Sequence, residues 1–262
     1  MLKDIISVGQ QGSLVSGDSF VFGTRKRGVF NPYSLILATE PEAFFGFEYK
    51  EINGVQVLFQ NSAATIPVEE IGDPVGGYRD FETGGILAIQ TTDANRPIWG
   101  GEGVGLVFVG NQSFTLSDHW KRQPNQATTW VYREEHPNDE NQVLGAWSTS
   151  SNTDVAYAWY YRENNGLIQR VGTGGTRLVE GVIPHNTMNT FSVRNDTIDY
   201  TARINGSDIQ TRSTEPALGD IDVPATLGSL EGVTQFFNGN ILWAAIYDKS
   251  LGIETLGVLE TT

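Results

Sequence analysis

Aromatic side chains are the residues of this chain with the most suggestive chemistry. An exposed Trp, Tyr or His ring can stack on the apolar face of a sugar, while neighbouring polar groups bond the sugar hydroxyls. Trp99 and Trp120 stand beside Gly100-Gly101 and Asp118-His119, in stretches that are typical of surface loops. The sequence therefore predicts ligand contacts at six positions: Trp99, His119, Trp120, Trp147, Tyr160 and Tyr161.

Packing is the competing explanation for these rings. A loop tryptophan can cap the edge of a sheet or contact a neighbouring subunit instead of a sugar. Trp130, Trp159 and Trp243 lie among apolar residues in strand-like stretches, so core packing is the favoured use for these three.

Acidic residues could support glycoside hydrolysis only as a pair of carboxylates that face each other across a sugar. The chain has no alternating Glu-x-Asp-x-Glu stretch. Its densest acidic run, 134–140, is interrupted by Pro137 and predicts a solvated loop. A calcium site there would need several converging oxygen ligands, and a polysaccharide-cleaving site there is the least favoured alternative. The sequence thus favours a protein that is not an enzyme.

Metal and nucleophile chemistry finds little support in the sequence. The three histidines, His119, His136 and His185, are far apart and none has a partner at metal-ligand spacing, so neither a zinc site nor a catalytic histidine is expected. The absence of cysteine excludes disulfides and thiolate ligands. No cofactor is predicted, and calcium stays open.

The charge balance also restricts the partners. Lys+Arg number 17 and Asp+Glu 31, which gives a net charge of −14 and argues against binding to nucleic acid or to an anionic membrane surface. No stretch approaches the roughly 20 apolar residues of a membrane span, and the first residues do not have the pattern of a secretory signal.

Hydrophobic residues recur with a period of two in short runs bounded by turn residues, which predicts an antiparallel all-β protein. Strands are expected at 128–135 and 154–162. Asn205-Gly206 predicts a two-residue hairpin that joins 200–204 to 209–212. Only 250–259 has helical spacing, with Ser250 as the expected N-cap and Ile253, Leu256 and Leu259 on one side.

Two stretches resemble a known family. The runs VLFQNSAATIPV (57–68), GDPVG (72–76) and QTTDANRP (90–97) resemble the entry segment of concanavalin A-like domains in bacteriophage and prophage structural proteins. The runs FNGNI (237–241) and IYDKSL (246–251) are similar to the closing strand and helical turn of the laminin-G-like jelly roll. The resemblance covers 45–259 and implies a concanavalin A-like jelly-roll sandwich in a virion. The family's Ser-Gly-Asn-Gly turn is replaced by 81–85, so no role of that turn is transferred.

The resemblance and the residues together predict two parts and a function. Residues 1–35 would anchor the protein to other virion proteins, with Arg25, Lys26 and Arg27 as docking charges, and 36–262 would form the jelly-roll domain. The expected function is that of a non-enzymatic, multi-copy phage structural protein of the tail, fibre or capsid surface. Made in the host cytoplasm and placed on the virion surface, it would bind host-surface glycan. The alternative is a purely architectural decoration or adaptor protein that binds no sugar.

Overall fold

The computed structural model describes residues 33–117, 127–137, 142–148, 154–162, 166–173, 176–177, 184–195, 199–213, 224–229 and 236–261. These residues form nineteen strands and two α-helices. In chain order the elements are α1 (Ser34–Leu37), β1 (Ala43–Gly46), β2 (Glu51–Ile52), β3 (Val55–Gln56), β4 (Leu58–Phe59), β5 (Gly77–Arg79), β6 (Ile86–Ile89), β7 (Ile98–Gly101), β8 (Gly105–Phe108), β9 (Phe114–Leu116), β10 (Thr128–Glu135), β11 (Gln142–Ser148), β12 (Asp154–Arg162), β13 (Gly166–Thr173), β14 (Thr176–Arg177), β15 (Asn189–Asn195), β16 (Asp199–Ile204), β17 (Ser207–Ser213), β18 (Thr226–Leu227), β19 (Gly239–Tyr247) and α2 (Ile253–Glu260).

Two antiparallel sheets make the sandwich. The first has the order β17-β16-β15-β10-β19-β8-β7, with β1 also paired to β19. The second has the order β14-β13-β12-β11-β18-β9-β6-β5-β4, and β2 and β3 form a separate hairpin. Every named strand pair in the described chain is antiparallel, which confirms the all-β prediction.

Aromatic rings join the two sheets in the core. Phe47, which follows β1 of the first sheet, packs edge-on against Tyr78 of β5 and stacks on Phe114 of β9 in the second. The Tyr78 hydroxyl accepts the Gly46 N–H at 2.9 Å, so this buried tyrosine also satisfies a backbone donor of β1. Trp130 and Trp243 are buried in the core as predicted, whereas the side chain of Trp159 lies outside what the structure describes.

The predicted hairpin is confirmed. Asn205 and Gly206 both have positive φ, +48° and +84°, as a type I′ turn requires. The turn joins β16 to β17, and both strands extend beyond the predicted limits.

The C-terminal helix is present, but its predicted start was wrong. It begins at Ile253 with Gly252 at the N-cap, not with Ser250. The cause is a tertiary contact, because the Leu251 N–H donates to Thr129 Oγ1 at 3.0 Å and holds the preceding residues against β10. Leu256 and Leu259 are buried as expected, while Ile253 is 56% exposed and does not share their environment.

The sandwich includes residues close to the predicted domain boundary. Tyr33 and Ile36 are both buried in the same hydrophobic core as the strands. Residues 1–32 lie outside the described part of the chain, so the anchoring segment and its Arg25, Lys26 and Arg27 stay predictions. None of the helices in the described residues is long and apolar enough to cross a membrane.

Candidate functional site: a groove on the second sheet

A groove of about 400 Å³ lies on the second sheet, over β6 and β9. Ile89 of β6 and Thr115 of β9 are directly paired across the two strands and both line it. Ser62, from the loop after β4, and Pro224, just before β18, also line the groove, together with Leu87 and Ser117.

Strand alternation explains why these side chains reach the groove. In β9, Phe114 and Leu116 are buried in the core while Thr115 between them is exposed. In β6, Ala88 is buried in the core, and Leu87 and Ile89 on either side of it are half-buried. The outer face of this part of the sheet is therefore apolar, where a solvated sheet face normally carries polar side chains.

Hydroxyl groups border this apolar surface. Ser62, Thr115 and Ser117 all line the groove. The Ser117 hydroxyl oxygen is buried, and no described residue forms a hydrogen bond with it. Leaving a buried hydroxyl without a partner costs about 1–3 kcal/mol.

The loop that carries Ser62 is fixed onto the sheet. Asn61 Oδ1 accepts the backbone N–H groups of Thr65 and Ile66, both at 3.0 Å. The loop backbone lies so close to β5 that a Cβ at Gly77 would sit 2.7 Å from the Asn61 carbonyl oxygen. The edge of the groove is thus held by backbone packing and an Asn side chain.

Asp73 secures the same loop further along. Its Oδ2 accepts the backbone N–H groups of Glu70 and Glu69 at 3.0 and 2.8 Å, and it also accepts Gln60 Nε2 at 3.2 Å. The hydrogen bonds from the Glu70 and Glu69 backbone hold the pKa of Asp73 below its ordinary value.

This lowered pKa gives a pH-dependent prediction. The stabilisation by Asp73 is fully present above the unfolded-state pKa, about 3.9, and is lost as pH falls through the lowered folded-state value. The Asp73→Asn variant should therefore be less stable than wild type at neutral pH, and the difference should shrink in acid. Urea unfolding of both proteins, measured at a series of pH values from neutral to acid, checks this prediction. A difference that stays constant with pH would contradict the assignment.

A second cavity, of about 230 Å³, lies beside α1 and includes Glu40, Glu42, Asp80 and Glu82 in its lining. Asp80 is already engaged within its own turn: it accepts the N–H groups of Glu82 and Thr83 and the Thr83 hydroxyl. The carboxylates in its lining make this cavity acidic, whereas the groove lining has no charged residue.

Three of the predicted site residues belong to the sheet that carries the groove. Trp147 lies in β11 and Tyr160 and Tyr161 in β12, with Val143 paired to Tyr160. In the order β12-β11-β18-β9, β12 is three strand spacings from β9, about 14 Å. The structure describes the backbone of these three residues, and their contact with a ligand stays a prediction.

Trp99 does not lie in a loop, and that expectation was wrong. It is part of β7 in the first sheet, paired with Leu106. Its indole N–H donates to the Phe47 carbonyl at 3.0 Å, and the half-buried ring packs against the core. An internal acceptor and core contacts hold the ring, and it is absent from the groove lining. His119 and Trp120 lie outside the described residues.

The acidic run 134–140 was predicted as a solvated loop, and for its first residues this was wrong. Glu134 and Glu135 end β10, and Glu134 is fully buried. Its Oε2 lies 2.7 Å from Nδ1 of the buried His136. His136 also has a partner that its sequence spacing concealed, since its Nε2 lies 3.2 Å from Nδ1 of His185.

The groove residues were not predicted because the sequence signal for sugar binding comes from aromatic rings. Ile89 and Leu87 are aliphatic, and in a short run such as 86–89 an outward-facing aliphatic residue cannot be told from a core residue. The spacing of Glu134 and His136 could have predicted that their side chains lie close together, because residues two apart on a strand share a face. No local sequence pattern predicts that His185 lies next to His136.

The two antiparallel sheets define the fold class: the chain is an all-β jelly-roll β-sandwich with a short C-terminal helix. No protein-family model and no curated protein matches the sequence.

Among solved structures, the chain is similar to domain 4 of AbnA, a GH43 extracellular arabinanase from Geobacillus stearothermophilus, in complex with arabinotriose. Identity is 12%, over 83% of this chain and 97% of that one, with a TM-score of 0.51. The Ruminococcus gnavus IT-sialidase CBM40 bound to α2,3 sialyllactose matches at 18% identity over 52% of this chain and 82% of that one, with a TM-score of 0.42. The NanB sialidase from Streptococcus pneumoniae matches at 15% identity over 58% of this chain, with a TM-score of 0.46, and only 26% of the sialidase is covered. The likeness to the arabinanase domain establishes a shared β-sandwich fold.

Proposed function

We propose that this chain is a non-catalytic carbohydrate-binding protein that takes glycan in the groove on the second sheet. The observation that carries the proposal is an apolar groove lining bordered by the hydroxyl-bearing side chains of Ser62 and Thr115. A sugar presents the complementary surfaces, C–H groups on its ring face and hydroxyls around its edge.

The arrangement assigns roles to the lining residues. Ile89 and Leu87 would contact the C–H face of a sugar ring, and Ser62 and Thr115 would bond its hydroxyls. The groove is small and open to solvent, so each site would bind weakly, and many copies side by side would supply avidity.

The charge of the chain favours a neutral glycan. A net charge of −14 produces a negative field that disfavours the approach of an anionic polysaccharide. Arabinotriose, the neutral sugar in the complex of the similar arabinanase domain, is therefore a suitable first probe beside neutral bacterial surface glycans.

The proposed setting is the surface of a bacteriophage particle, where the chain would act as a structural component of tail, fibre or capsid. Its support is the resemblance of the runs at 57–68, 72–76 and 90–97 to the entry segment of concanavalin A-like domains in phage and prophage structural proteins. In this setting the N-terminal segment would attach to other virion proteins, and the sandwich would face host-surface glycan.

The test compares two threonine-to-lysine variants. Thr115→Lys places a long side chain across the centre of the groove from an exposed position, while Thr91→Lys makes the same change at an exposed residue outside the groove lining. On a glycan array that includes arabinotriose and neutral bacterial glycans, wild type and Thr91→Lys should bind the same glycan. Thr115→Lys should bind it at least about tenfold more weakly, a loss of about 1.4 kcal/mol.

Three results would contradict the proposal in different ways. Equal binding by both variants would place the sugar site elsewhere, for instance at Trp147, Tyr160 or Tyr161. Shortened glycan in mass spectra after incubation would indicate an enzyme. Absence of binding to any glycan on the array would favour the architectural alternative, in which another subunit covers the groove.

A further inference from the structure

A chain of three titratable side chains lies at the end of β10, on the opposite sheet from the groove. Glu134 Oε2 is 2.7 Å from His136 Nδ1, and His136 Nε2 is 3.2 Å from His185 Nδ1. Glu134 and His136 are completely buried, whereas His185 is only half-buried. The two imidazoles thus meet at the boundary between the interior and solvent.

Backbone contacts hold the two histidines together. Asn186 donates its N–H to the His136 carbonyl at 2.8 Å, which fixes the turn that carries His185. Asn189 Nδ2 donates to the carbonyls of Pro184 and Thr187 at 2.8 and 3.0 Å and closes the same turn. These hydrogen bonds therefore hold the backbone segments that carry the two imidazoles close together.

The distances between the rings fit a shared metal ion. Two nitrogens bound to one tetrahedral ion at about 2.05 Å lie about 3.3 Å apart, and their ring centres lie about 5.2 Å apart. The observed separations are 3.2 Å between the nitrogens and 5.1 Å between the ring centres. In the structure the same two nitrogens are joined by a hydrogen bond, and a bound ion would take the place of its proton.

The Glu134 carboxylate is buried beside these rings. Its other oxygen, Oε1, is buried without a hydrogen-bond partner in the described chain, and no described Lys or Arg forms an ion pair with it. A buried carboxylate calls for a compensating positive charge nearby. A carboxylate hydrogen-bonded to the outer nitrogen of a metal-bound histidine is also the usual device that fixes the ring and raises its basicity.

We propose that His136 Nε2 and His185 Nδ1 bind a divalent transition-metal ion, such as Zn²⁺ or Cu²⁺, with Glu134 as the carboxylate that orients His136. In this arrangement Glu134 accepts the proton on His136 Nδ1, which leaves the Nε2 lone pair directed toward His185. His185 takes the tautomer with its proton on Nε2. No cluster of three or more His, Cys, Asp or Glu ligands occurs among the described residues, so within that part of the chain the two imidazoles are the proposed ligands.

The test is titration of the full-length, chelator-treated protein with ZnCl₂ and with CuCl₂ by calorimetry at neutral pH. Wild type should bind one ion per chain, and Cu²⁺ should bind more tightly than Zn²⁺. His185→Ala, at a half-buried position, should abolish binding. Glu134→Gln should weaken it about 10–100-fold, whereas Glu254→Gln, the same change at an exposed carboxylate in α2, should have no effect.

Imidazole NMR signals give a readout that does not depend on any variant. With three histidines in the chain, two sets of ring signals should shift or broaden at one equivalent of Zn²⁺ and the third should serve as internal reference. If Glu134→Gln or His185→Ala fails to fold, as judged by circular dichroism, this wild-type titration decides. The proposal is overturned if neither ion produces a binding heat in calorimetry or a shift of the imidazole signals. It is also overturned if His185→Ala binds the ion as wild type does, or if the signals of all three histidines shift equally.

Discussion

Replacing Gly105 with alanine should destabilise the protein by about 2–5 kcal/mol, a large share of the roughly 5–15 kcal/mol that stabilises an ordinary domain. Gly105 begins β8 with φ +71°, a conformation that costs an L-residue about 1–2 kcal/mol. A Cβ would lie 2.2 Å from the Ile241 carbonyl oxygen and 2.7 Å from Leu242 Cα. Both atoms belong to the backbone of β19, which β1, β8 and β10 hold in place, so overpacking adds about 1–3 kcal/mol.

Gly103→Ala is the matched control for this prediction. Gly103 is two residues away and has φ +76°, but a Cβ there would meet no atom within 4 Å. Its substitution should cost only the strain of the positive φ, about 1–2 kcal/mol. Urea unfolding followed by tryptophan fluorescence measures both. If the two variants lose the same stability, the close approach of β8 and β19 contributes nothing and strain alone explains the loss.

The elements predicted well from the sequence are those whose signals are local. The period of two in 128–135 reproduces β10, and Asn205-Gly206 fixes a turn whose two positive φ angles few other residue pairs tolerate. The predicted start of the C-terminal helix was wrong because a contact between residues far apart in the sequence determines it. Thr129 binds the Leu251 N–H, and no pattern within 250–259 could reveal that partner.

The candidate sites were harder to predict, for two physical reasons. The groove is lined by aliphatic residues such as Ile89, and only the tertiary position of the strand determines whether such a residue faces the core or solvent. Charge next to proline suggested a solvated loop at Glu134, yet a hydrogen bond to His136 allows the carboxylate to be buried. The nearness of His185 depends on a turn closed by Asn186 and Asn189.

Replacing Arg203 with methionine should lower the free energy of unfolding by about 3–5 kcal/mol, the usual cost of removing one partner of a buried ion pair. Arg203 and Glu260 are both buried. Arg203 donates from Nε to Glu260 Oε1 at 2.9 Å and from Nη2 to Glu260 Oε2 at 3.1 Å, and Nη2 also donates to the Gly206 carbonyl at 2.8 Å. The hydrogen bond to Glu260 raises the pKa of Arg203 further, so the guanidinium stays charged.

The variant would leave the Glu260 carboxylate buried at the end of α2 with only the Ser192 hydroxyl, 3.1 Å away, among its described partners. The double variant Arg203→Met/Glu260→Leu removes both charges and should recover most of the loss, because apolar side chains can replace a buried ion pair at little net cost. Urea unfolding gives the three stabilities, and hydrogen exchange of the α2 amides locates the effect. If the double variant recovers nothing, the loss does not come from the unpaired Glu260 carboxylate. If the single variant is as stable as wild type, the pair does not hold α2 to the first sheet. Docking of the helix then depends on Leu256 and Leu259, the two leucines that α2 buries in the core.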